Sequence, residues 1–238
     1  MTNQIMTNQI VVFKQEQADK IAETYFKEMC GFNRPGEKFK GMLNEGLAIR
    51  DKMAGSFQIR AVVSSFGPSA VRGKTLEIGE LKFTCNAISQ LKPGEVTEIH
   101  AFILTIGRLD FDSASVIDLF YSDTWGTAYV DSGRDLIREW IQQQISPGEN
   151  IIVSDSFGPG YYGMDLGQLQ YFFSLLDADK IGVELNGSSM MLPQKSCAGF
   201  FFSMSGDSKL PSEDCKSCLA EKAGCNFCRG RVKMQKGN

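Results

Sequence analysis

Four of the seven cysteines crowd into one short stretch, CKSCLAEKAGCNFC, as Cys215, Cys218, Cys225 and Cys228 in a C-x2-C-x6-C-x2-C arrangement. Two close pairs of thiols make a complete four-sulfur set, and thiolates hold zinc or an iron–sulfur cluster. The spacer is shorter than the dozen or more residues that part the knuckles of ordinary zinc sites and suits a compact cluster. It does not reproduce the ferredoxin run either. An iron–sulfur cluster, zinc, and free or redox-paired thiols all stay open. The other three, Cys30, Cys85 and Cys197, sit in apolar surroundings and are expected to pack as small hydrophobes.

A second stretch, SDSFGPGYYGMDLGQL over 154–169, carries different chemistry. Gly158, Gly160 and Gly163 permit positive φ and leave no Cβ on a face that a ligand could approach, while Pro159 stiffens the turn. Tyr161 and Tyr162 offer flat surface and a hydroxyl, which suits a planar or methyl-bearing ligand. Asp165 is the N-cap candidate of a helix whose apolar stripe is Leu166, Leu169, Phe172, Phe173 and Leu176, and a helix start favours an anion such as a carboxylate. The plainer alternative is a turn that opens a helix, since Gly-Pro-Gly is common turn chemistry.

Most other catalytic sets are excluded by count. The single histidine, His100, enters an apolar strand and reads as a structural imidazole, so His-based zinc sites and His-dependent nucleophile activation have no support. G-x-x-x-x-G-K-[ST] does not occur, and GPGYYG (158–163), although spelled G-x-G-x-x-G, is not read as a nucleotide loop. Asp131, Asp135 and Glu139 follow one another along a helical stretch and read as a solvated face.

The 238 residues are 42% hydrophobic, enough for a sizeable core, and the formal charge of −3 provides no basic field for a phosphate backbone. Nucleic acid is therefore a poor partner. No apolar run is long enough to span a bilayer, the start lacks the marks of a secretory signal, and an odd number of cysteines makes a poor disulfide framework. A cytoplasmic protein is expected. MTNQIMTNQI writes one five-residue unit twice and reads as a duplicated or cloning-derived start.

Along the chain, Ala18, Ile21, Ala22, Tyr25, Phe26 and Met29 predict a helix ending near Gly31, and a second helix is expected over Glu37–Met53. FQIRAVV (57–63), Leu76–Cys85 and HAFILTIG (100–107) read as strands, the last as a buried central one. Helices are expected from an Asp112-Ser113 cap through Phe120 and again over Trp125–Gln144. Stretches 181–192 and 196–204 read as a hairpin-like unit at the sheet edge. This divides the chain into a duplicated start (1–10), an N-terminal helical region (11–75), a core (76–205) and a Cys-rich appendage (206–238).

The order HAFILTIGR, DTWGTAYVDSGRDL, DSFGPGYYGMDLGQLQYFFSLLDADKIGVELNGSSMMLPQKSCAGFFF and a cysteine-rich end resembles the activation domain of cobalamin-dependent methionine synthase and its free-standing relatives associated with corrinoid methyltransferases. The likeness covers roughly residues 75–228. It implies a C-shaped α+β fold with a mixed, largely antiparallel sheet flanked by helices, and an S-adenosylmethionine groove built on an Arg-Pro-x-Pro-Gly-Tyr loop. Gly160 and Tyr161 match the loop's Gly-Tyr, Gly158 precedes them, Asp165 falls near its acidic position, and Ser189–Gly199 resembles the family's Ser-Met-x-Pro turn. The family's arginine is Ser156 here, and its later tyrosine is Leu210. Its helix glutamate is met by Asp131, Asp135 or Glu139. The implied role is that of an accessory protein which binds S-adenosylmethionine and helps to reactivate the cobalamin of a corrinoid protein or methyltransferase by reduction, drawing on an electron donor. The alternatives are a non-catalytic binding or assembly protein with a structural four-cysteine metal site, and a methyltransferase acting on some other substrate.

Overall fold

The computed structural model describes residues 4–33, 35–92, 94–161 and 163–211. The chain begins with β1 (Gln4–Phe13) and turns into α1 (Gln15–Cys30), where Ala18, Ala22, Tyr25 and Phe26 form the buried face. The Gln17 side chain accepts from the Lys14 N–H at 2.9 Å, and Gly31 ends the helix at φ 69°. Next come α2 (Glu37–Met53), β2 (Ile59–Phe66), a small meander of β3 (Val71–Arg72), β4 (Thr75–Ile78) and β5 (Leu81–Phe83), and the long β6 (Val96–Thr105). Then follow α3 (Val116–Gln144), β7 (Ile151–Val153), the short α4 (Leu169–Leu175), the pair β8 (Glu184–Leu185) and β9 (Met191–Leu192), and β10 (Ser196–Ser205).

The main sheet has the order β1-β2-β6-β10-β7. All of its pairings are antiparallel. Two-residue alternation on the central strands splits their side chains between two cores. Ile99, Ala101, Ile103, Phe200 and Phe202 face the β3–β5 meander and α4, whereas Phe102, Leu104, Ile106 and Phe201 face α1, α2 and α3. An α+β architecture results, with long helices on one face of the sheet and small elements on the other.

Three expectations change. The stretch 112–144 is one helix of 29 residues from Val116, capped by the Ser115 hydroxyl, which accepts from the Asp118 N–H. The Ser122 and Thr124 hydroxyls donate back to the Leu119 and Phe120 carbonyls, so the polar YSDT run does not interrupt it. Second, β10 lies between β6 and β7 instead of at an edge. Third, the repeated pentamer supplies most of β1, which pairs with β2 through an irregular register in which the Asn8 N–H donates to Ser64 Oγ at 2.9 Å. The N-terminal region and the core therefore share one sheet. Leu166 is exposed at 61%, so it leaves the buried stripe that Leu169, Phe172 and Leu176 keep.

The three long helices are locked at one point. Trp125 on α3 stacks on Phe26 of α1 with centroids 4.0 Å apart, and its Nε1–H donates to the Gly46 carbonyl of α2 at 2.7 Å. A Cβ on Gly46 would lie 2.5 Å from the Phe26 ring, and one on Gly133 would lie 2.8 Å from Leu104. Glycine lets α2 close on α1, and α3 close on the sheet. His100 is buried between the Ser65 and Ser203 hydroxyls at 2.7 and 2.8 Å, and burial pulls its imidazole down to about 4.

Candidate functional site

After β7 the chain does not leave the sheet at once. The Ser154 N–H donates to the Phe202 carbonyl, the Ser154 hydroxyl accepts from the Phe202 N–H, and Phe157 bridges Phe200 in both directions at 2.9 and 2.7 Å. Only at Gly158 does the backbone turn away. A Cβ there would sit 2.1 Å from the Ala198 carbonyl oxygen, and one on Gly199 would sit 2.6 Å from the Phe157 oxygen. The bare face of Gly158 is therefore occupied by β10 itself. Gly160, at φ 85°, closes the turn by donating to the Met164 carbonyl, and its own Cβ direction points at Leu166, 3.2 Å away.

Between this loop, α3 and the 189–198 turn lies a cleft of about 390 Å³. Its floor is Phe102 and the start of β10, with Thr127, Val130, Asp131 and Arg134 of α3 on one side and Met190, Met191 and Lys195 on the turn. The Asn186 side chain shapes that turn by accepting from the Ser188 and Met190 N–H groups at 2.9 and 3.0 Å. Apolar walls with a few convergent charges are the usual make-up of a small-molecule site.

Charge in the cleft is concentrated in two groups of pairs. Arg134 Nη2 donates to Asp131 Oδ1 at 2.6 Å, and Arg134 Nη1 reaches Ser156 Oγ at 3.5 Å. One turn further, Arg138 Nη1 donates to Asp155 Oδ1 at 2.6 Å, so successive arginines of α3 hold the loop. Burial pushes the Asp131 carboxyl up, and the Arg134 guanidinium draws it part of the way back. Across the cleft Lys195 Nζ meets Asp123 Oδ1 at 2.7 Å and donates to Thr127 Oγ1 at 3.0 Å. Cys197 lines the floor, and desolvation raises its thiol to about 12, so it stays protonated and packs as a hydrophobe.

Of the residues that the sequence singled out, Ser156, Gly158 and Tyr161 line the cleft, and Tyr161 is 62% exposed at its rim. Gly160 shapes the loop without lining the cleft. Asp165 caps: its Oδ1 accepts from the Gly167 N–H at 2.7 Å, starting a single 3-10 turn before the seven-residue α4. Glu139 is exposed and outside the cleft, and Asp135 accepts from the Tyr25 hydroxyl at 2.6 Å, which leaves Asp131 as the helix carboxylate that faces it. Cys215, Cys218, Cys225 and Cys228 lie outside the described residues. Among the described residues no group of three or more His, Cys, Asp or Glu could hold a metal ion, and no helix is long and apolar enough to cross a membrane. Sequence reasoning missed Arg134 and Lys195. Arg134 had a signal, because it follows Asp131 by three positions and so shares its helix face.

No family model matches the sequence, and no curated protein matches it. Among solved structures the fold is similar to the crystal structure of the MetH reactivation domain bound to AdoHcy, with a TM-score of 0.53 and 15% sequence identity. The match covers 92% of this chain and 85% of the other. The chain therefore has a MetH reactivation-domain-like α+β fold.

Proposed function

We propose that this chain is an accessory protein for corrinoid-dependent methyl transfer, one that binds S-adenosylmethionine in the cleft and assists the reductive reactivation of a partner's cobalamin. The observation that carries the reading is a cleft of about 390 Å³, bounded by a Gly-Tyr loop, a charged helix face and a Ser-Met-x-Pro-like turn, on a fold similar to a domain solved with AdoHcy.

The lining suits such a ligand. Arg134 and Lys195 offer cationic donors to a carboxylate, and Arg134 arrives from α3 at the loop position where Ser156 stands instead of an arginine. Asp131 offers a carboxylate to an ammonium or a ribose hydroxyl, and Met190, Met191 and Leu166 offer apolar cover. When bound, S-adenosylmethionine supplies an electrophilic methyl group on a sulfonium centre. The protein's share is to bind and orient it beside the partner, with the partner's cobalamin as the acceptor and an external electron donor as the reductant. The cysteine tail, as an iron–sulfur or zinc site, belongs to the same proposal.

Isothermal titration tests the binding step. S-adenosylmethionine and S-adenosylhomocysteine are expected to give saturable heats, and Arg134→Met to weaken both by about tenfold or more, the loss of one charge-assisted contact. No heat at millimolar ligand would overturn it. Ser156 in the arginine position favours a second reading, a binding or assembly protein that keeps the sheet without the ligand, and that outcome would leave it standing.

A further inference from the structure

We propose a second ligand site, for a phosphoryl group, in the pocket of about 310 Å³ formed by residues 55–58, Arg60 and 106–108. None of these residues lines the cleft, so the site does not depend on the reading above.

Arg60 is the reason. It sits on β2, opposite Thr105 of β6, and its guanidinium extends to where two backbone turns come together. Gly107 at φ 83° and Gly182 at φ 71° flank it, with Nη2 at 3.4 and 4.0 Å from the positions a Cβ would take on them. Side chains on those turns would only come into ordinary contact with Nη2, so the guanidinium lies beside bare backbone. Arg60 Nε is shielded from solvent and meets no acceptor among the described residues. Among those residues no carboxylate lies within 4.0 Å of this guanidinium either, although every other described arginine has one. A half-buried cation with an unmet donor carries a desolvation cost that a counter-ion offsets.

The remaining lining fits an oxyanion. Arg108 borders the same pocket, and its only acidic partner among the described residues is Asp110, in a pair in which both side chains are more than three-quarters exposed. Such a pair is worth little and exchanges readily for a better one. The Gln58 amide adds a neutral donor, and no carboxylate lines the pocket. Two guanidinium forks suit a doubly charged group with three free oxygens better than a lone carboxylate. The volume leaves space for a substituent beyond the phosphoryl group.

The test is a titration of the whole, 15N-labelled chain with inorganic phosphate and with glycerol 2-phosphate at constant ionic strength, reading arginine Nε–Hε and backbone amide signals. The Arg60 Nε–Hε and Gly107 amide signals are expected to shift saturably. Arg60→Met should weaken binding by about tenfold or more, as loss of a charge-assisted contact implies. Arg108→Ala alters only an exposed side chain and should weaken it by about threefold. Tighter binding of the monoester assigns the site to phosphorylated metabolites, and equal binding assigns it to free phosphate. Shifts that follow chloride as well as phosphate, or equal affinity in Arg108→Ala and the unaltered chain, would overturn the proposal even if Arg60→Met failed to fold.

Discussion

Replacing Gly158 with alanine is expected to damage the free protein, because the face that glycine leaves bare already holds a strand. The added methyl would lie 2.1 Å from the Ala198 carbonyl oxygen, a backbone atom of β10 that has no rotamer to change. Ordinary contact begins near 3.4 Å, so loop and strand would have to part by more than an ångström. That displacement strains the Phe157–Phe200 bridge, whose two hydrogen bonds measure 2.9 and 2.7 Å. Overpacking of this kind costs about 3 kcal/mol, with part of the bridge lost as well. For a chain of this size that lowers Tm by roughly 6–12 °C. Thermal and urea unfolding without ligand measure it, with Gly187→Ala as the control because nothing lies within 4 Å of that position. If Gly158→Ala instead kept the Tm of the unaltered protein and lost only ligand affinity, a ligand and not β10 would be what the bare backbone serves.

Acid should weaken the fold through His100. The folded imidazole titrates at about 4 and the unfolded one near 6.5, so between those values the unfolded chain binds the extra proton and stability is lost as pH falls. The difference amounts to roughly 3 kcal/mol. Asp131 and Asp135, whose carboxyls burial raises, act with the opposite sign because the folded chain then holds protons that the unfolded one has released. Urea unfolding of His100→Gln beside the unaltered chain isolates the term, and parallel pH profiles would rule it out. Trp125→Phe should cost about 1–3 kcal/mol, since the Gly46 carbonyl loses its buried donor while much of the stacking on Phe26 remains. A shift in urea midpoint would register that loss, and an unchanged midpoint would show that the hydrogen bond adds nothing.

Local pattern carried the helices and the strands, and failed where pairing is long-range. α1 and α2 follow from apolar spacing and from Gly31, which ends α1 in the left-handed region. α3 looked interrupted because Ser122 and Thr124 compete for backbone in isolation, yet in place they bond to the preceding turn. The FFF run marked β10 as a strand, but its place between β6 and β7 depends on partners far away in sequence, such as Phe201 with His100. The loop residues Gly158 and Tyr161 were legible from composition, and Ser156 only from the family resemblance. What the glycines make way for was not, because only the folded sheet brings Ala198 against Gly158. Lys195 gave no sign at all, since its partners Asp123 and Thr127 meet it only across the cleft.

Because the cleft floor is the internal strand β10, which also anchors both hydrophobic cores, that side of the binding space cannot flex without unravelling the molecule. Any accommodation to differently shaped guests must come from its rims, the 158–165 loop and the 186–195 turn. Selectivity can then drift by changes at those margins alone, leaving foldability untouched.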